Sequence, residues 1–426
     1  MKNKISIIGL GYVGLPLAIE FSKKFSVVGY DINSERINQL NQFNDLTNEI
    51  DKNTLSQNVK FKNDSNLGLY ITDDSSEIKD SNIYIVTVPT PVDKNKNPNL
   101  TPLISASKTV GKFLNKNDIV IFESTVFPGC TEEVCVPYLE KSSGFTYNKD
   151  FYCGYSPERI NPGDKVHTVR DIKKITSGSN TKIANKIDKL YLQIIDAGTF
   201  KAKSIKIAET AKVIENSQRD INIAFVNELA KICSLLKIDT LDVLEAASSK
   251  WNFLNFKPGL VGGHCIGVDP FYLAHKSKQL GYIPEVILAG RRVNDSMPKF
   301  IVSDIIKLLI KNNMVLNESK CLILGATFKE NCPDIRNSKV IELYDELIEY
   351  GLDVSIYDPL ADKNEFLKFH KTKLLEIKEI KTYNLIILAV SHNDFNKIDL
   401  EMLKNKKSIV YDIKGFFLKN QVQKRL

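Results

Sequence analysis

The chain lacks the features that mark secreted, membrane-spanning and disordered proteins. Its 426 residues include seven cysteines, an odd number scattered without the spacing of metal ligands, which argues against a disulfide framework and against a metal site. No apolar run approaches a membrane span, and the first residues predict a strand rather than a charged and then apolar leader. Low-complexity stretches are also missing. These absences predict a cytoplasmic protein with reduced thiols, no membrane insertion and no metal.

Composition and length are those of an ordinary globular protein. Hydrophobic residues make up 43% and charged residues 26% of the chain. A chain of this length forms about two to three domains. The net charge of +7 comes from dispersed lysines, which suits a small, multiply anionic substrate and does not predict a nucleic-acid partner.

A glycine-rich turn near the amino terminus predicts a dinucleotide site. The apolar run at residues 5–8 leads into this turn, and a helix pattern with Pro16 in its first turn follows. Glycines here form a tight turn and admit a pyrophosphate to the helix amino terminus, where backbone N–H groups favour negative charge. The candidate cofactor ligands of the turn are Gly9, Gly11, Tyr12, Val13 and Gly14.

The acid that follows the second strand predicts which dinucleotide binds. The strand at residues 26–30 ends at Asp31, whose carboxylate would accept from both ribose hydroxyls and repel a 2′-phosphate. NAD is therefore expected in preference to NADP. Arg36 lies five residues on and is within reach of a phosphate in principle, and a solvated turn is the alternative for Asp31.

Two threonines follow further strands of the same predicted sheet. The strand at residues 82–88 runs into Thr90, and the strand at residues 118–123 is followed by Thr125. Ligands bind at this carboxyl edge in α/β proteins, so both threonines are candidates for the site. Thr125 either offers its hydroxyl there or caps the helix after Gly129.

A loop with two charged residues follows residues 152–155. Glu158 and Arg159 lie between prolines that stiffen this loop. We expect both side chains to be held toward a ligand, and a solvent-exposed ion pair is the alternative.

The middle of the chain predicts one long helix. Proline and glycine are absent from Ser204 to about Leu236, where alanines and long side chains dominate. Lys212 and Asn216 lie four residues apart and therefore share one face. Lys212 is a candidate to stabilise an alkoxide or a tetrahedral oxyanion, with Asn216 donating beside it, and a solvated surface is the alternative for both.

A cysteine lies in a glycine-rich turn, Gly262-Gly263-His264-Cys265-Ile266-Gly267-Val268-Asp269. Beside a nicotinamide, a thiol can attack an aldehyde, form a thiohemiacetal, give up a hydride and leave a thioester for water to open. The glycines allow close approach to the sulfur, and Asp269 is a candidate to hold a water molecule. A buried cysteine acting as a small hydrophobe is the alternative.

A second strand–turn–helix pattern follows a link rich in lysine and asparagine at residues 311–320. A strand at residues 321–324 enters a turn, and residues 334–338 are predicted to open a helix that runs to Tyr350. Further strands are expected at residues 353–357, 384–390 and 408–411. The fold class is therefore α/β: two Rossmann-like doubly wound domains joined by a long central helix and a small helical domain. The second Rossmann-like domain lacks the glycine fingerprint, so it is expected to bind a nucleotide-linked substrate rather than a second dinucleotide.

These motifs together resemble the UDP-glucose/GDP-mannose dehydrogenase family, in the family's order and over the whole chain. They are the glycine turn, Ser124-Thr125, Ser156-Pro157-Glu158-Arg159, Lys212-x-x-x-Asn216, Gly262-Gly263-His264-Cys265 and Phe328-Lys329-x-Asn331-x-x-Asp334-x-Arg336. The resemblance implies oxidation of a nucleotide sugar at C6, from alcohol to carboxylate, with two NAD⁺. It also implies an NAD-binding domain at residues 1–203, a central dimerisation domain at 204–300 and a UDP-sugar domain at 301–426.

The resemblance implies a role for each matching position. Cys265 is the nucleophile, Lys212 and Asn216 stabilise the oxyanion and alkoxide, and Asp269 with Thr125 organises the reacting water. Lys329 and Arg336 contact the cofactor across the interdomain cleft, and the central helix forms a homodimer whose partner supplies part of the substrate loop. Substrate-binding candidates are Glu158, Arg159, Lys212, Asn216, Lys257, Gly262 and Phe328, and Glu158 is also a catalytic candidate.

Departures from the UDP-glucose pattern indicate a branch of the family. The glutamate expected shortly after Ser-Pro-Glu is missing at residues 159–163, and the cysteine turn continues as Ile266-Gly267-Val268. Together with Lys250-Trp251-Asn252-Phe253 and Asp45-x-Thr47-x-Glu49, they resemble bacterial enzymes that oxidise UDP-N-acetylglucosamine or UDP-N-acetylgalactosamine for surface polysaccharides. UDP-N-acetylmannosamine and UDP-glucose are the alternative substrates.

Two other classes of protein share parts of this pattern. A two-electron hydroxyacid dehydrogenase has a dinucleotide domain and a helical lysine with an asparagine four residues on, but it needs no Cys265. A dinucleotide sensor without catalytic function has no use for the thiol, lysine, asparagine and aspartate together. The three classes differ in the NADH released per substrate: two, one and none.

Overall fold

The chain, seen in a computed structural model, is described over residues 3–93, 95–159, 168–263 and 266–426. It divides into two compact units, Met1–Glu215 with Phe271–Tyr282 and Asn216–Pro270 with Ile283–Leu426. The division falls inside one helix, α7 (Ile205–Leu236). The three-domain division at residues 203 and 300 stays a prediction.

The first unit is built on a parallel sheet of seven strands in the order β3-β4-β2-β1-β5-β6-β7. The strands are β1 (Lys4–Ile8), β2 (Ser26–Tyr30), β3 (Val59–Lys60), β4 (Gly68–Thr72), β5 (Ile83–Val86), β6 (Ile119–Phe122) and β7 (Tyr152–Tyr155). A separate parallel pair is formed by β8 (Lys174–Thr176) and β9 (Thr199–Lys201). The helices are α1 (Gly14–Ser22), α2 (Ser34–Asn41), α3 (Lys52–Asn58), α4 (Thr101–Gly111), α5 (Val136–Ser143), α6 (Thr181–Tyr191) and α7 (Ile205–Leu236), with a π-helical turn at Thr131–Cys135.

The strand register brings the site-bearing loops to one edge of this sheet. Ile8 pairs with Tyr30 and Val86, and Phe122 pairs with Val86 and Tyr155. The central strands are buried along nearly their whole length, as expected for a parallel sheet covered by helices on both faces. Because parallel strands end together, the loops that follow them begin side by side.

The second unit holds a parallel sheet of five strands in the order β11-β10-β12-β13-β14. The strands are β10 (Lys320–Leu324), β11 (Asp353–Tyr357), β12 (Tyr383–Leu388), β13 (Lys404–Asp412) and β14 (Lys424–Arg425). The remaining helices are α8 (Thr240–Ser248), α9 (Asp269–Gln279), α10 (Glu285–Asp295), α11 (Met297–Lys311), α12 (Val340–Glu349) and α13 (Lys363–His370). The predicted fold class, two Rossmann-like α/β domains and a long central helix, is confirmed.

One helix begins later than the sequence predicts. Residues 334–338 were expected to open α12, but the helix starts at Val340. The Asp334 carboxylate instead accepts hydrogen bonds from the backbone N–H and the guanidinium of Arg336. Asn337 has a left-handed φ of 54°, which interrupts a right-handed helix. Within the described part of the chain, no helix is both long and apolar enough to cross a membrane.

Candidate active site

The glycine turn of the first unit leaves open space where a dinucleotide is predicted. Gly9 has a φ of 98°, and a Cβ there would lie 3.2 Å from the Thr87 carbonyl oxygen. At Gly14 a Cβ would lie 1.8 Å from the Gly9 carbonyl oxygen, so the strand and the helix can approach only without a side chain. A Cβ at Gly11 would meet nothing within 4 Å. The turn therefore fits a pyrophosphate at the amino terminus of α1.

The Asp31 carboxylate is held at this turn. Its Oδ2 accepts a hydrogen bond from the backbone N–H of Leu10 at 2.8 Å, and its Oδ1 accepts from Asn33 at 2.9 Å. Each oxygen has two lone pairs, so both can also accept from a ribose hydroxyl. Asp31 is therefore anchored by two backbone N–H groups and keeps acceptor capacity.

The Arg36 side chain contacts two acceptors. Its Nε donates to the Leu10 carbonyl at 3.0 Å, and its guanidinium lies 2.7 Å from the Asp45 carboxylate. Asp45 also accepts hydrogen bonds from the Thr47 hydroxyl and from the backbone N–H groups of Thr47 and Glu49, which accounts for the aspartate and the threonine of the Asp-x-Thr-x-Glu pattern as a closed loop. Burial alone would raise the pKa of Asp45, but the hydrogen bond from Thr47 and the charge of Arg36 outweigh burial, and the pKa lies below its usual range.

The loops after β5 and β6 are bonded to each other. The Thr90 hydroxyl donates to the Thr125 carbonyl at 2.7 Å, and the Tyr272 hydroxyl donates to the Thr90 carbonyl at 2.9 Å. The structure thus brings both predicted threonines together.

The backbone N–H groups of Gly129 and Thr131 are bound by the buried carboxylate of Glu209, at 2.5 and 2.8 Å. Burial raises the pKa of Glu209 to about 7. These two N–H groups are therefore capped by Glu209 and not by Thr125.

Glu158 is buried, so the alternative of a solvent-exposed ion pair is wrong. Its Oε2 lies 2.7 Å from the Lys174 ammonium, and its Oε1 accepts from the backbone N–H of Arg159 at 2.5 Å. The same ammonium lies 2.6 Å from the carboxylate of Glu123, which also accepts from the Tyr191 hydroxyl. Two carboxylates therefore share one buried lysine.

Lys212 is only 6% exposed, so the alternative of a solvated surface lysine is wrong. The Arg159 guanidinium donates to the Lys212 carbonyl at 3.4 Å and forms an ion pair with Glu215. Three predicted residues, Glu158, Arg159 and Lys212, are thereby brought together in the first unit.

In the second unit, two predicted catalytic residues are in contact. Asn216 donates from Nδ2 to Asp269 Oδ2 at 2.5 Å, and both side chains are buried. Arg219 donates to Asn216 Oδ1 at 3.5 Å. Cys265, the predicted nucleophile, lies outside the described residues, as do residues 160–163 of the branch motif.

The loop that precedes the cysteine is fixed by backbone contacts. The Asn227 side chain bonds both backbone groups of Gly259, accepting from its N–H at 2.8 Å and donating to its carbonyl at 3.1 Å. Gly263 has a φ of 82°, and a Cβ there would lie 2.6 Å from the ring of Phe328. At Gly262 a Cβ would lie 2.4 Å from the Asn337 carbonyl oxygen. Both glycines are therefore required by packing.

A small cavity lies at the carboxyl edge of the second sheet. Phe328, Glu330, Lys329, Lys339 and Lys414 are among the residues that line it. Lys414 lies 3.6 Å from Glu330, and Lys339 pairs with Asp295 and Glu342. Two other predicted residues are exposed: Lys257, on the loop before the cysteine, and Arg336, which pairs with Asp334.

The acid at the end of β11 is saturated. Asp358 accepts from the backbone N–H groups of Ala326, Thr327, Leu360 and Ala361 and from His392 Nε2. A carboxylate offers about four lone pairs, so five donors leave none for a ribose. The second sheet is therefore unlike the first, where Asp31 keeps acceptor capacity.

Several residues of the site were missed by the sequence analysis. Their signals were weak because each partner is distant in sequence: Lys174 and Glu123 are separated by 51 residues, and Asn227 and Gly259 by 32. Glu123 offered one usable hint, since it is a charged residue that directly follows an apolar strand. The missed residues are Glu123, Lys174, Tyr191, Glu209, Asn227 and Asp358.

Comparison with known proteins gives consistent matches along the whole chain. Three models of the UDP-glucose/GDP-mannose dehydrogenase family match: the NAD binding domain at residues 3–195, the central domain at 206–296 and the UDP binding domain at 322–419. UDP-N-acetyl-D-glucosamine 6-dehydrogenase of Salmonella typhi is 53% identical, over 99% of this chain and 98% of that protein. Protein CapL of Staphylococcus aureus is 52% identical, over 97% and 96%. The solved structure of a UDP-D-ManNAc dehydrogenase from Pyrococcus horikoshii is 30% identical, with a TM-score of 0.88 over 99% of this chain and 98% of that one.

Proposed function

The chain belongs to the UDP-glucose/GDP-mannose dehydrogenase family and is an NAD-dependent oxidoreductase, and on this basis we propose that its substrate is a UDP-N-acetylhexosamine. UDP-N-acetylglucosamine or UDP-N-acetylgalactosamine is oxidised at C6 from the alcohol to the uronate. The observation that carries the proposal is the 53% sequence identity to the UDP-N-acetyl-D-glucosamine 6-dehydrogenase of Salmonella typhi, against 32% to the UDP-N-acetyl-D-mannosamine dehydrogenase of Pyrococcus horikoshii.

The proposed reaction needs a nucleophile, and the sequence offers Cys265. The sulfur bonds to the C6 aldehyde, loss of hydride leaves a thioester, and water opens the thioester to the carboxylate and the free thiol. Bound NAD⁺ supplies hydride acceptance, once for each oxidation. A hydroxyl at this position would be a much poorer nucleophile at neutral pH.

Buried polar groups support the assignment of the remaining catalytic roles. Lys212, an ammonium with little exposure, stabilises negative charge on the substrate oxygen. Asn216 donates beside it, and its bond to Asp269 fixes the orientation of the amide and the carboxylate. Asp269 with Thr125 organises the water that opens the thioester. Glu158 is kept as a catalytic and substrate-binding candidate.

The proposed binding residues are those that the sequence predicts, and the geometry of the glycine turn supports some of them. The glycine turn and Asp31 hold NAD through the pyrophosphate and the adenosine ribose. Further candidates for the cofactor are Tyr12, Val13, Arg36, Thr90, Thr125, Lys329 and Arg336. The match to the UDP binding domain at residues 322–419 supports binding of the uridine diphosphate by the second unit, and further candidates for the substrate are Arg159, Lys257, Gly262 and Phe328.

A homodimer through α7 is part of the proposal. Phe225, Ile232 and Leu236 are exposed apolar side chains at helical spacings that place them on one stripe. A stripe of this kind on a single chain favours a protein partner. On the resemblance alone, we also assign the uronate to synthesis of a bacterial surface polysaccharide in the cytoplasm.

Counting reducing equivalents tests the proposed reaction. Each mole of UDP-N-acetylglucosamine or UDP-N-acetylgalactosamine should yield two moles of NADH and one of uronate, and UDP-N-acetylmannosamine and UDP-glucose should react more slowly. One NADH per substrate would indicate a two-electron dehydrogenase, and none would indicate a sensor. Cys265→Ser should abolish uronate formation and keep NAD binding, because a hydroxyl is a poor nucleophile at neutral pH. If this variant made uronate at the wild-type rate, the covalent route would be excluded.

A further inference from the structure

A buried cluster of four ionisable side chains, Glu123, Glu158, Lys174 and Tyr191, lies in the first unit. Lys174 on β8 places its ammonium 2.6 Å from the carboxylate of Glu123, which follows β6, and 2.7 Å from that of Glu158. Tyr191 at the end of α6 donates to the other oxygen of Glu123. Exposure of the four residues is 6% or less, so water does not screen their charges.

Charge balance makes Lys174 the key member of this cluster. Two carboxylates face each other across one ammonium, and without it two like charges would be buried together at high cost. The Lys174 Nζ also lies 5.4 Å from the centre of the Tyr191 ring, a favourable site for a cation. Four separate elements, the ends of β6 and α6, β8 and the loop after β7, converge on this one charge.

The protonation pattern is consistent with that geometry. Burial tends to lower the pKa of Lys174, but the charges of Glu123 and Glu158 outweigh it and the pKa is raised, so the ammonium stays charged. Burial raises the pKa of Glu123 to about 7. Burial, together with the charge of Glu123, raises the pKa of Tyr191, so its hydroxyl remains a donor.

We propose that Lys174 is a positioning residue that holds the Glu158 carboxylate ionised and in one orientation, with Glu123 and Tyr191 anchoring the ammonium. One oxygen of Glu158 is then fixed by Lys174 and the other by the backbone N–H of Arg159. Arg159 in turn donates to the carbonyl of Lys212. The cluster thereby sets the conformation at Glu158 and Arg159, the two substrate-binding candidates that follow β7. This role rests on the proposed function, because Glu158 and Lys212 are assigned there.

Two variants separate the contact between Lys174 and Glu158 from the net charge of the cluster. Lys174→Met removes the ammonium, and Lys174→Met with Glu123→Gln also removes one carboxylate, so the net charge of the cluster stays at that of the wild type. We expect kcat to fall about 10²-fold in both, since misplacement by about an ångström has such an effect. The KM for NAD⁺ should change little. The acidic limb of the pH–rate profile should move to higher pH in both variants, because each loses the positive charge that contacts the Glu158 carboxylate. The charge of Glu123 has a weaker effect on Glu158, since the Lys174 ammonium lies between the two carboxylates.

Lys60→Met is the matched control. Lys60 is a partly buried lysine of the same unit that pairs with Asp64 at 3.0 Å, but it lies on β3, at the opposite edge of the sheet from β7. Its loss should leave kcat and the pH profile unchanged. If the double variant regains wild-type kcat and pH profile, Lys174 serves charge balance alone and the positioning role is wrong.

A second measurement needs no turnover. In protein labelled with ¹³C at the glutamate carboxyl, the Glu158 signal is assigned by its loss in Glu158→Gln, and its titration midpoint should move to higher pH in both Lys174 variants. An unmoved midpoint would overturn the inference even in an active enzyme. A moved midpoint in a protein that oxidises none of the UDP-sugars would support the role of Lys174 and reject the proposed function instead.

Discussion

At the glycine turn, the guanidinium of Arg36 has two fixed acceptors, the Leu10 carbonyl and the Asp45 carboxylate. A 2′-phosphate on the adenosine ribose would meet the Asp31 carboxylate, and it could gain Arg36 only if that side chain left Asp45. Both effects disfavour NADP. We therefore expect Asp45 to influence cofactor choice through its ion pair with Arg36.

We expect the wild type to use NAD⁺ with a kcat/KM more than about tenfold above that for NADP⁺, in line with charge repulsion at close range. Asp31→Ala should narrow the ratio by weakening NAD⁺ use. Asp45→Asn should also narrow the ratio, because Arg36 loses its ion pair and can bind the 2′-phosphate of NADP⁺. The kcat/KM for NAD⁺ should change little.

Asp51→Asn is the control for Asp45, because Asp51 caps α3 through Thr54 and has no arginine in its described contacts. The ratio of the two kcat/KM values is measured for all four proteins. Equal use of both cofactors by the wild type would show that Arg36 already offsets Asp31.

At the scale of elements, α7 fixes the loop before the cysteine through one side chain. Asn227 bonds the N–H and the carbonyl of Gly259, and its Nδ2 also donates to Asn294 on α10 at 2.8 Å. Asn294 donates to Asp220 of α7, whose carboxylate lies 2.5 Å from the Arg291 guanidinium. A loop held by backbone bonds to a helix has fewer conformations to lose when substrate binds.

Asn227→Ala should therefore weaken both the fold and the reaction. Unpaired backbone groups at Gly259 should lower the free energy of unfolding by about 1–3 kcal/mol, measured by urea denaturation. We expect kcat/KM for the UDP-sugar to fall about 10²-fold, because the loop leads to Cys265.

Asn222→Ala is the matched control for Asn227, since the Asn222 side chain bonds only the Gln218 carbonyl on its own helix among the contacts described. It should keep both stability and activity. A destabilised Asn227→Ala with full kcat/KM would show that the loop needs no such anchor.

Local patterns were sufficient to predict much of the fold. The strand Ser26–Tyr30, the acid after it and the long helix α7 each depend on a continuous stretch of sequence, and the structure has them where they were expected. The predicted start of α12 was wrong because the Asp334 side chain accepts a hydrogen bond from the Arg336 backbone N–H, and this bond competes with helix formation. The strand Gly68–Thr72 was missed, since polar residues surround its short apolar run.

The buried clusters could not be predicted in the same way. Lys174 lies in a polar stretch that resembles surface, and only the folded sheet places it between Glu123 and Glu158. No periodicity marks a residue whose partners come from three other elements. The predicted roles of the site residues, including Cys265, therefore stay predictions that the variants above test.

At the scale of the whole molecule, the exposed stripe of α7 predicts the assembly state. Phe225 is 60% exposed, and Phe225→Asp should turn a dimer into a monomer with little change in the free energy of unfolding of each chain. Sedimentation equilibrium measures the mass. Phe369→Asp is the control, because Phe369 on α13 is 57% exposed and is not part of the stripe. A wild-type protein that is monomeric at micromolar concentration would contradict the proposed dimer.

The saturated carboxylate of Asp358 limits how the second sheet can be re-engineered. Grafting a glycine fingerprint onto residues 325–330 would not convert the second sheet into a dinucleotide site, because the acid at its ribose position already joins the ends of two loops. Removing His392 takes away one of the five donors, but the four backbone N–H groups still occupy the carboxylate, and the Asn331 backbone N–H loses its acceptor. Both loops around Asp358 would have to be rebuilt before the second sheet could accept a ribose at this position.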